Sequence, residues 1–504
     1  MASDPQDTPP QDTPQLFRSP ELNLSRGELR VVVTTLMLAL FLSALDQTIV
    51  APAMPTIGAA FGDFENLSWV ISAYFLTYTA MAPVFGRLSD IFGRRVMLLW
   101  ALGLFMAGSL ACALAPNMIV LILARGLQGL GGGGLIPLSQ TVISDLVAPK
   151  ERGQFQTYFT ITWVTACIGG PLLGGVFSEI IHWSMIFWIN IPLGLIACAL
   201  VITKLGKLPD NHMRRHVDVS GGLLLMASSI LFVLAMTWGG VRYDWNSVLI
   251  LGLLGATLLL ALAFVVHALR IHEPFLPLPL LSGRVVPYAL FASACCMGGL
   301  IGLSIILPIH FQLIYHLSPS LSGLALMPMV VLGVPGAFLA SQLMMRTSRY
   351  KLVPIVFLLI SAVAAFALFV FPALPLPVFL ALSGVIGFGI GTQFPVSTVA
   401  AQNAVPPREV GTTTGAIAFF RGLAGAVVVA VFSAILLNGL GFSVTEGHGA
   451  EFLAKMNAVA AVTAARAFAY VYLAAGLLFL VAAVAFIVME ERALISSADG
   501  VSLD

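Results

Sequence analysis

Fourteen stretches of roughly 20 mostly apolar residues, each long enough to cross a hydrocarbon layer of about 30 Å as a helix, follow one another between residues 31 and 489. No other feature restricts the fold so strongly. Inside lipid, every backbone N–H and C=O must find a partner within the chain, and a run of this length does so as a helix. With 59% hydrophobic and only 9% charged residues, the chain also lacks the polar surface that a water-soluble protein of 504 residues needs. The fold class expected is an all-α polytopic membrane protein.

Charge placement orients the spans. If the amino terminus is cytoplasmic, 19 of the 24 Lys and Arg residues fall on that side, and Arg242, Lys455 and Arg466 fall outside. The outer connections carry Asp63, Glu65, Glu179, Asp244, Glu446 and Glu451 instead. One missed span would scramble this alternation, so the count stays even and both termini lie in the cytoplasm. The first 28 residues, rich in Pro, Asp and Gln, read as a disordered polar tail without a signal-peptide pattern, and 491–504 as a second tail. Cys112, Cys167, Cys198, Cys295 and Cys296 all sit in apolar runs, which favours buried thiols over disulfides or a metal site. No nucleotide-binding loop is visible, and His182, His267, His272, His310 and His316 show no ligand spacing with a carboxylate. No metal, no cofactor, no nucleic-acid partner and no enzymatic activity are expected.

An internal repeat divides the chain. The run from Gly126 through Gly129 and Gly131–Gly134 to Pro137, Pro149, Glu151 and Gly153 is echoed 258 residues later by Gly384, Gly387, Gly389, Gly391, Pro395, Pro407, Glu409 and Gly411. Segment 4 then corresponds to segment 12, which leaves segments 7 and 8 as a pair inserted between two six-helix halves. The expected domains are 29–204, the insertion 205–272, and 273–490. The inserted pair is expected to be peripheral and away from any central cavity.

Charges buried in the spans carry the chemistry. Asp46 is the one acid well inside a segment, and such a group must be protonated, paired or facing a wet cavity. Counting along oppositely directed helices puts Arg125 at a similar depth, with Gln128 one turn below it. The two charges meet directly or through water; a proton-exchanging carboxylate and a purely structural pair are both open. Arg421, near the middle of segment 13, faces either a ligand in a central cavity or the carbonyls of neighbouring helices. Tyr74, Tyr78, Trp163, Trp69 and Phe75 supply an aromatic wall or simple packing. Gly86-Arg87-Leu88-Ser89-Asp90-Ile91-Phe92-Gly93-Arg94-Arg95 reads as a short interfacial turn whose charges are solvated. Gly169-Gly170-Pro171-Leu172-Leu173-Gly174-Gly175 offers a flat helix surface for close contact.

Four of these stretches, in order and in the right spans, resemble the major facilitator superfamily, and within it the 14-span drug:proton antiporter family of EmrB/QacA-like multidrug exporters, over residues 29–490. Gly86, Arg87, Asp90, Gly93, Arg94 and Arg95 match the signature between spans 2 and 3, implying a conformational latch. Leu45-Asp46-Gln47-Thr48-Ile49-Val50 continuing to Pro55 matches the first-span signature, implying that Asp46 couples protons. Arg125, Gln128 and Gly129 match the fourth-span signature, and Gly170, Pro171, Gly174 and Gly175 the fifth-span signature of antiporters. The chain departs from the pattern at Ala51-Pro52 and at Ser184, and lacks a further acid in a later span.

The resemblance implies a fold of two six-helix bundles plus two inserted central helices; the residues expected at the substrate cavity are Gln128, Tyr74, Tyr78, Trp163 and Arg421. It implies a proton-coupled antiporter that exports lipophilic or amphiphilic compounds by alternating access. Export of an endogenous lipid or natural product, and uncoupled lipid scrambling, are the competing readings. The implied partners are a small amphiphilic or cationic substrate, protons and membrane lipids, optionally an accessory periplasmic protein. The implied setting is a monomer in the plasma membrane, a bacterial inner membrane.

Overall fold

The computed structural model describes residues 26–63, 66–207, 217–240, 242–271, 273–347, 349–371, 374–440 and 461–494. The two expected tails lie largely outside these residues, as do Glu65, Arg214, Arg215, Glu446, Glu451 and Lys455.

Fourteen helices among the described residues are long and apolar enough to cross a membrane, and the protein is an integral, polytopic, all-α membrane protein. They are α1 Gly27–Phe61, α2 Leu67–Phe92, α3 Arg94–Ala113, α4 Met118–Leu146, α5 Arg152–Ile181, α6 Met185–Lys204, α7 Val219–Trp238, α8 Val248–Arg270, α9 Val286–Ile314, α10 Leu321–Arg346, α11 Leu352–Val370, α12 Leu376–Asn403, α13 Pro407–Leu440 and α14 Thr463–Val488. Several overrun the apolar segments that announce them. Helix α1 continues through Pro52 and Pro55 to Phe61, and α5 passes Pro171 into a π-helical turn at Phe177–Ile181.

The segment 86–95 is not the solvated turn its charges suggest. Helix α2 runs on to Phe92, and Gly93, with φ 89° and ψ 150°, reverses the chain alone before α3 begins at Arg94. A positive φ at this point suits glycine, because a Cβ would clash with the backbone. Arg87 and Asp90 are buried, at 4% and 7% exposure. They are sequestered by protein instead of solvated by headgroups.

Two apolar cores mirror the duplicated plan. One gathers side chains from Val32 to Leu205, the other from Phe264 to Met489. Helices α4 and α12 begin 258 residues apart, at Met118 and Leu376, and each carries a proline inside, Pro137 and Pro395. Each is clamped on two sides through glycines that leave no room for a Cβ. Gly129 sits against Tyr74 and Thr77 of α2 and Gly131 against α3, while Gly387 sits against Met329 of α10 and Gly389 against Phe357 of α11. Large apolar side chains such as Leu123, Ile180, Val248 and Leu259 ring the outside, as a lipid-facing girdle requires.

The inserted pair is not wholly peripheral. Helix α7 packs against α2 of the first half and α13 of the second, with Trp238 edge-on to Trp69 at 5.2 Å, a contact worth about 0.5–1.5 kcal/mol beyond its area. Its near-uniform hydropathy concealed this, since a helix facing lipid and a helix filling a seam need the same residues. Helix α8 is the lipid-facing partner, with little of its apolar length buried. Asp218 ties the pair to the second half: it accepts from Gly221 N at 2.8 Å and Phe275 N at 3.0 Å, and meets His267 Nε2 at 2.8 Å. Cys112, Cys295 and Cys296 are buried, whereas Cys167 and Cys198 are only half-buried, because α5 and α6 turn part of their circumference outward.

Candidate functional site

The first of three linked features is a polar knot inside the first half. Arg125 Nη1 donates to Asp46 Oδ2 at 2.6 Å, with both side chains essentially free of solvent exposure. Gln128 Nε2 and Asn190 Nδ2 donate to Asp46 Oδ1 at 2.7 and 3.2 Å. Arg125 also donates to Val70 O at 3.0 Å and Gln128 Oε1 at 2.6 Å. Gln128 Nε2 and Asn190 Nδ2 both reach Ser109 Oγ. Three side chains from α4 and α6 thus close directly around the α1 carboxylate, and Ser109 of α3 holds two of them in place. A buried pair built this way is held by its hydrogen bonds as much as by Coulomb attraction, and removing one partner typically costs about 3–5 kcal/mol.

The knot is shielded from the centre of the protein by aromatic rings. The Arg125 guanidinium lies 4.3 Å from the centre of the Tyr74 ring, and Tyr74 stacks on Tyr78 at 5.7 Å and 22°. Tyr78 reaches the second feature, a cavity of about 390 Å³ between the halves. Its wall includes Gln47, Phe75, Gln140, Gln156, Trp163 and Arg421. Of the residues expected there, Tyr78, Trp163 and Arg421 are in place. Tyr74 and Gln128 are not: Tyr74 is fully buried against Gly132 and Arg125, and the Gln128 amide is consumed by the knot. Tyr74 and Tyr78 lie on one helix face, but the ring nearer Arg125 is drawn into the cation contact. Val233, Met236 and Thr237 of α7 also line the cavity, which corrects the expectation that the insertion avoids it.

Arg421 donates through Nε to Ser293 Oγ at 2.6 Å and through Nη2 to Thr398 Oγ1 at 3.1 Å. Its guanidinium stands 5.0 Å from the Phe394 ring centre. Arg421 thus lines the cavity while bonding to hydroxyls, not carbonyls, of the neighbouring helices.

The third feature closes the halves at the end that carries most of the basic residues. Asp90 accepts from Gly411 N at 3.0 Å, Thr412 N at 2.7 Å and Thr412 Oγ1 at 2.6 Å. These donors belong to the first turn of α13, where N–H groups without helical partners favour an anion. Arg94 pairs with Asp90 and donates to Ser89 Oγ at 2.8 Å and Asp145 Oδ2 at 2.9 Å, bracing the carboxylate from its own half. Gly86 packs on Gly411 and Gly415 of the other half. Arg95 does not join this contact; it donates to Ile202 O of α6 at 2.8 Å. A second clasp links α5 and α10, with Thr157 Oγ1 to Ser341 Oγ at 3.0 Å and Ser341 Oγ to Gly153 O at 2.6 Å.

The fifth-span glycines divide by helix phase. Gly170 and Gly174 press on Thr48 and Ile49 of α1, whereas Gly175 has open space where a Cβ would go and Pro171 faces outward. Two residues of the knot were missed in the sequence. Asn190 had a signal, a lone amide in an apolar run, but a neutral group costs less than a charge and attracts less notice. Ser109 had none.

Comparison with known proteins agrees with this architecture. The sequence profile of the Major Facilitator Superfamily matches residues 36–429. Multidrug resistance protein 3 of Bacillus subtilis (strain 168) is 32% identical over 417 residues, covering 81% of this chain and 80% of the relative. The multidrug transporter protein MdtP of the same organism is 32% identical over 409 residues, covering 81% and 75%. Among solved structures, the human organic anion transporter MFSD10 (TETRAN) superposes with a TM-score of 0.63 at 15% identity, over 92% of this chain and 99% of that one. The proton:xylose symporter XylE gives 0.59 at 16%, over 91% and 95%. With fourteen spans, two matching cores and a profile match across most of its length, the chain belongs to the major facilitator superfamily, a family of transporters and not of enzymes.

Proposed function

We propose that this chain is a proton-driven antiporter of the 14-span drug:proton type, exporting small lipophilic and amphiphilic compounds by alternating access. The names of the two Bacillus relatives support multidrug export. The excess of Lys and Arg at the latched end supports a cytoplasmic placement of that end and of both termini, in a plasma membrane such as a bacterial inner membrane. In this reading the closed latch and clasp hold the carrier shut toward the cytoplasm. Substrate leaves the cavity on the other side, and protonation of Asp46 resets the halves. The carrier acts as a monomer.

The observation that carries the reading is the short aromatic relay from the Asp46–Arg125 pair through Tyr74 to Tyr78 at the cavity wall. A proton on Asp46 removes the charge that holds Arg125, and Arg125 is what Tyr74 packs against. Protonation and substrate thereby act on the same stack from opposite sides, and each favours a different state.

The test is flux in liposomes with an imposed proton gradient, using a panel of cationic dyes, amphiphilic acids and lipids on wild type and Asp46→Asn. Gradient-dependent uptake in inverted vesicles, lost in the variant while folded protein persists, is the expected result. Unchanged coupled flux in Asp46→Asn removes Asp46 from the mechanism, and lipid equilibration without a gradient replaces antiport with scrambling.

A further inference from the structure

We propose that the cavity selects amphiphiles bearing a single oxyanion head group, a carboxylate, sulfonate or phosphate ester, and that Arg421 is the residue that holds it. The inference rests on the transport reading above and narrows its substrate class.

Among the described residues, Arg421 is the one charged side chain in the cavity wall, and no carboxylate of these residues takes part in that wall. Its partners are the hydroxyls of Ser293 and Thr398 and the ring of Phe394, all neutral. Two of its five N–H donors are engaged by the described residues, and among these residues no Asp or Glu forms an ion pair with it. Asp46, the embedded acid of the first half, is already committed to Arg125, Gln128 and Asn190. A guanidinium fixed in a membrane-embedded wall is costly unless an anion completes it, and its planar fork can donate two parallel hydrogen bonds to one oxyanion. A cationic amphiphile in the same space meets like charge with nothing to offset it.

The rest of the wall suits the remainder of such a molecule. Phe75, Trp163, Met297 and Ile301 offer apolar surface, and Gln47 and Gln140 offer neutral hydrogen bonds. Ser293 and Thr398 grip the Nε and Nη2 edges, which fixes the guanidinium without neutralising it.

The test is equilibrium binding to the full-length protein in nanodiscs, with no proton gradient. The probes are a fluorescent long-chain carboxylate, its methyl ester and a trimethylammonium analogue of equal length. The expected result is that wild type binds the carboxylate about tenfold or more tighter than either other probe. In R421Q that preference disappears while ester binding persists, and in R421K part of it returns. Equal binding of all three probes by wild type, a preference for the cation, or survival of the carboxylate preference in R421Q overturns the proposal. The wild-type comparison decides even where the variants fail to fold. Repeating it with anionic phospholipid in the disc separates two supporting outcomes: competition assigns the head group to bilayer lipid, and its absence to a freely dissolved amphiphile. Preserved preference with failed proton coupling in liposomes overturns the antiport reading alone.

Discussion

The carboxylate of Asp90 at the end of α2 accepts from the backbone N–H of Thr412 at 2.7 Å and from its hydroxyl at 2.6 Å, joining two residues 322 positions apart. One side chain thus caps the first turn of a helix in the opposite half. Any opening of this end must first break that cap.

Removing the cap shifts the balance between closed and open. Hydrogen bonds to a charged group contribute about 1.5–3 kcal/mol each, so Asp90→Ala shifts the population toward opening by about tenfold or more. Thr412→Val loses the hydroxyl bond and keeps the backbone one, so its effect is smaller. The measurement is maleimide labelling of Thr157→Cys, a member of the second clasp replaced alike in all three proteins, and it rises in Thr412→Val and further in Asp90→Ala. Equal labelling in all three proteins means the contact does not hold the halves.

The Asp46–Arg125 pair separates through a double-mutant cycle. Arg125→Ala leaves a carboxylate buried without its cation and lowers stability by about 3–5 kcal/mol. The same substitution in an Asp46→Asn background costs less, because no charge remains to be orphaned. Thermal unfolding of purified protein reads the coupling. Additive losses would show that the two charges do not depend on each other, whatever their distance.

These two contacts differ in how legible they are from the residues alone. The Asp46–Arg125 pair was visible because charges in apolar runs are few and helix rise fixes their depth. The contact of Asp90 with the opposite half was not: its residues taken alone read as a solvated loop, because nothing local reveals that the other half covers it. Span count and the duplicated halves follow from segment length and from the constant offset of Gly and Pro. The position of α7 does not, since lipid and a neighbouring helix demand the same apolar surface. Nor does the difference between Gly174 and Gly175, neighbours in one motif that helix phase sends to different faces.

That last difference is itself a test. A methyl group at Gly174 runs into the backbone of Ile49, whereas one at Gly175 meets nothing within 4 Å. Gly174→Ala therefore forces α1 and α5 apart and costs about 1–3 kcal/mol, while Gly175→Ala is neutral or slightly stabilising. Membrane yield and melting temperature of the two variants give the comparison. Equal losses would show that the motif acts through something other than this contact.

Acid should loosen the junction at Asp218. Burial pushes the Asp218 carboxyl up, but the hydrogen bonds from His267, Gly221 N, Phe275 N and Ser220 outweigh it and hold the group below the usual carboxylate range. A carboxylate with a lowered folded value stabilises above its unfolded value of about 3.9 and loses that contribution as pH falls through the folded one. Protection of the Gly221 and Phe275 amides, their exchange relative to the free-peptide rate at each pH, is therefore high and level near neutrality and falls below about pH 4. Asp218→Asn shows the lower protection at neutral pH already. A flat profile down to pH 3 in wild type would mean the staple is not electrostatic.

Helices α7 and α8 of the insertion are alike in hydropathy and differ in what they touch. Thr237 lines the cavity, whereas Leu258 on α8 is largely exposed at the outer surface. A cysteine at Thr237 is protected from a membrane-permeant maleimide by bound amphiphile, and a cysteine at Leu258 is not. Met236→Trp adds bulk to a space of about 390 Å³ and excludes the larger ligands of a graded series while retaining the smaller. A helix merely resting on the outside would show neither effect: labelling at both sites would ignore ligand, and Met236→Trp would leave the size limit where it was. Protection at Thr237 with an altered size limit makes α7 part of the wall that substrates meet, so the insertion between the halves then acts in recognition as well as in packing.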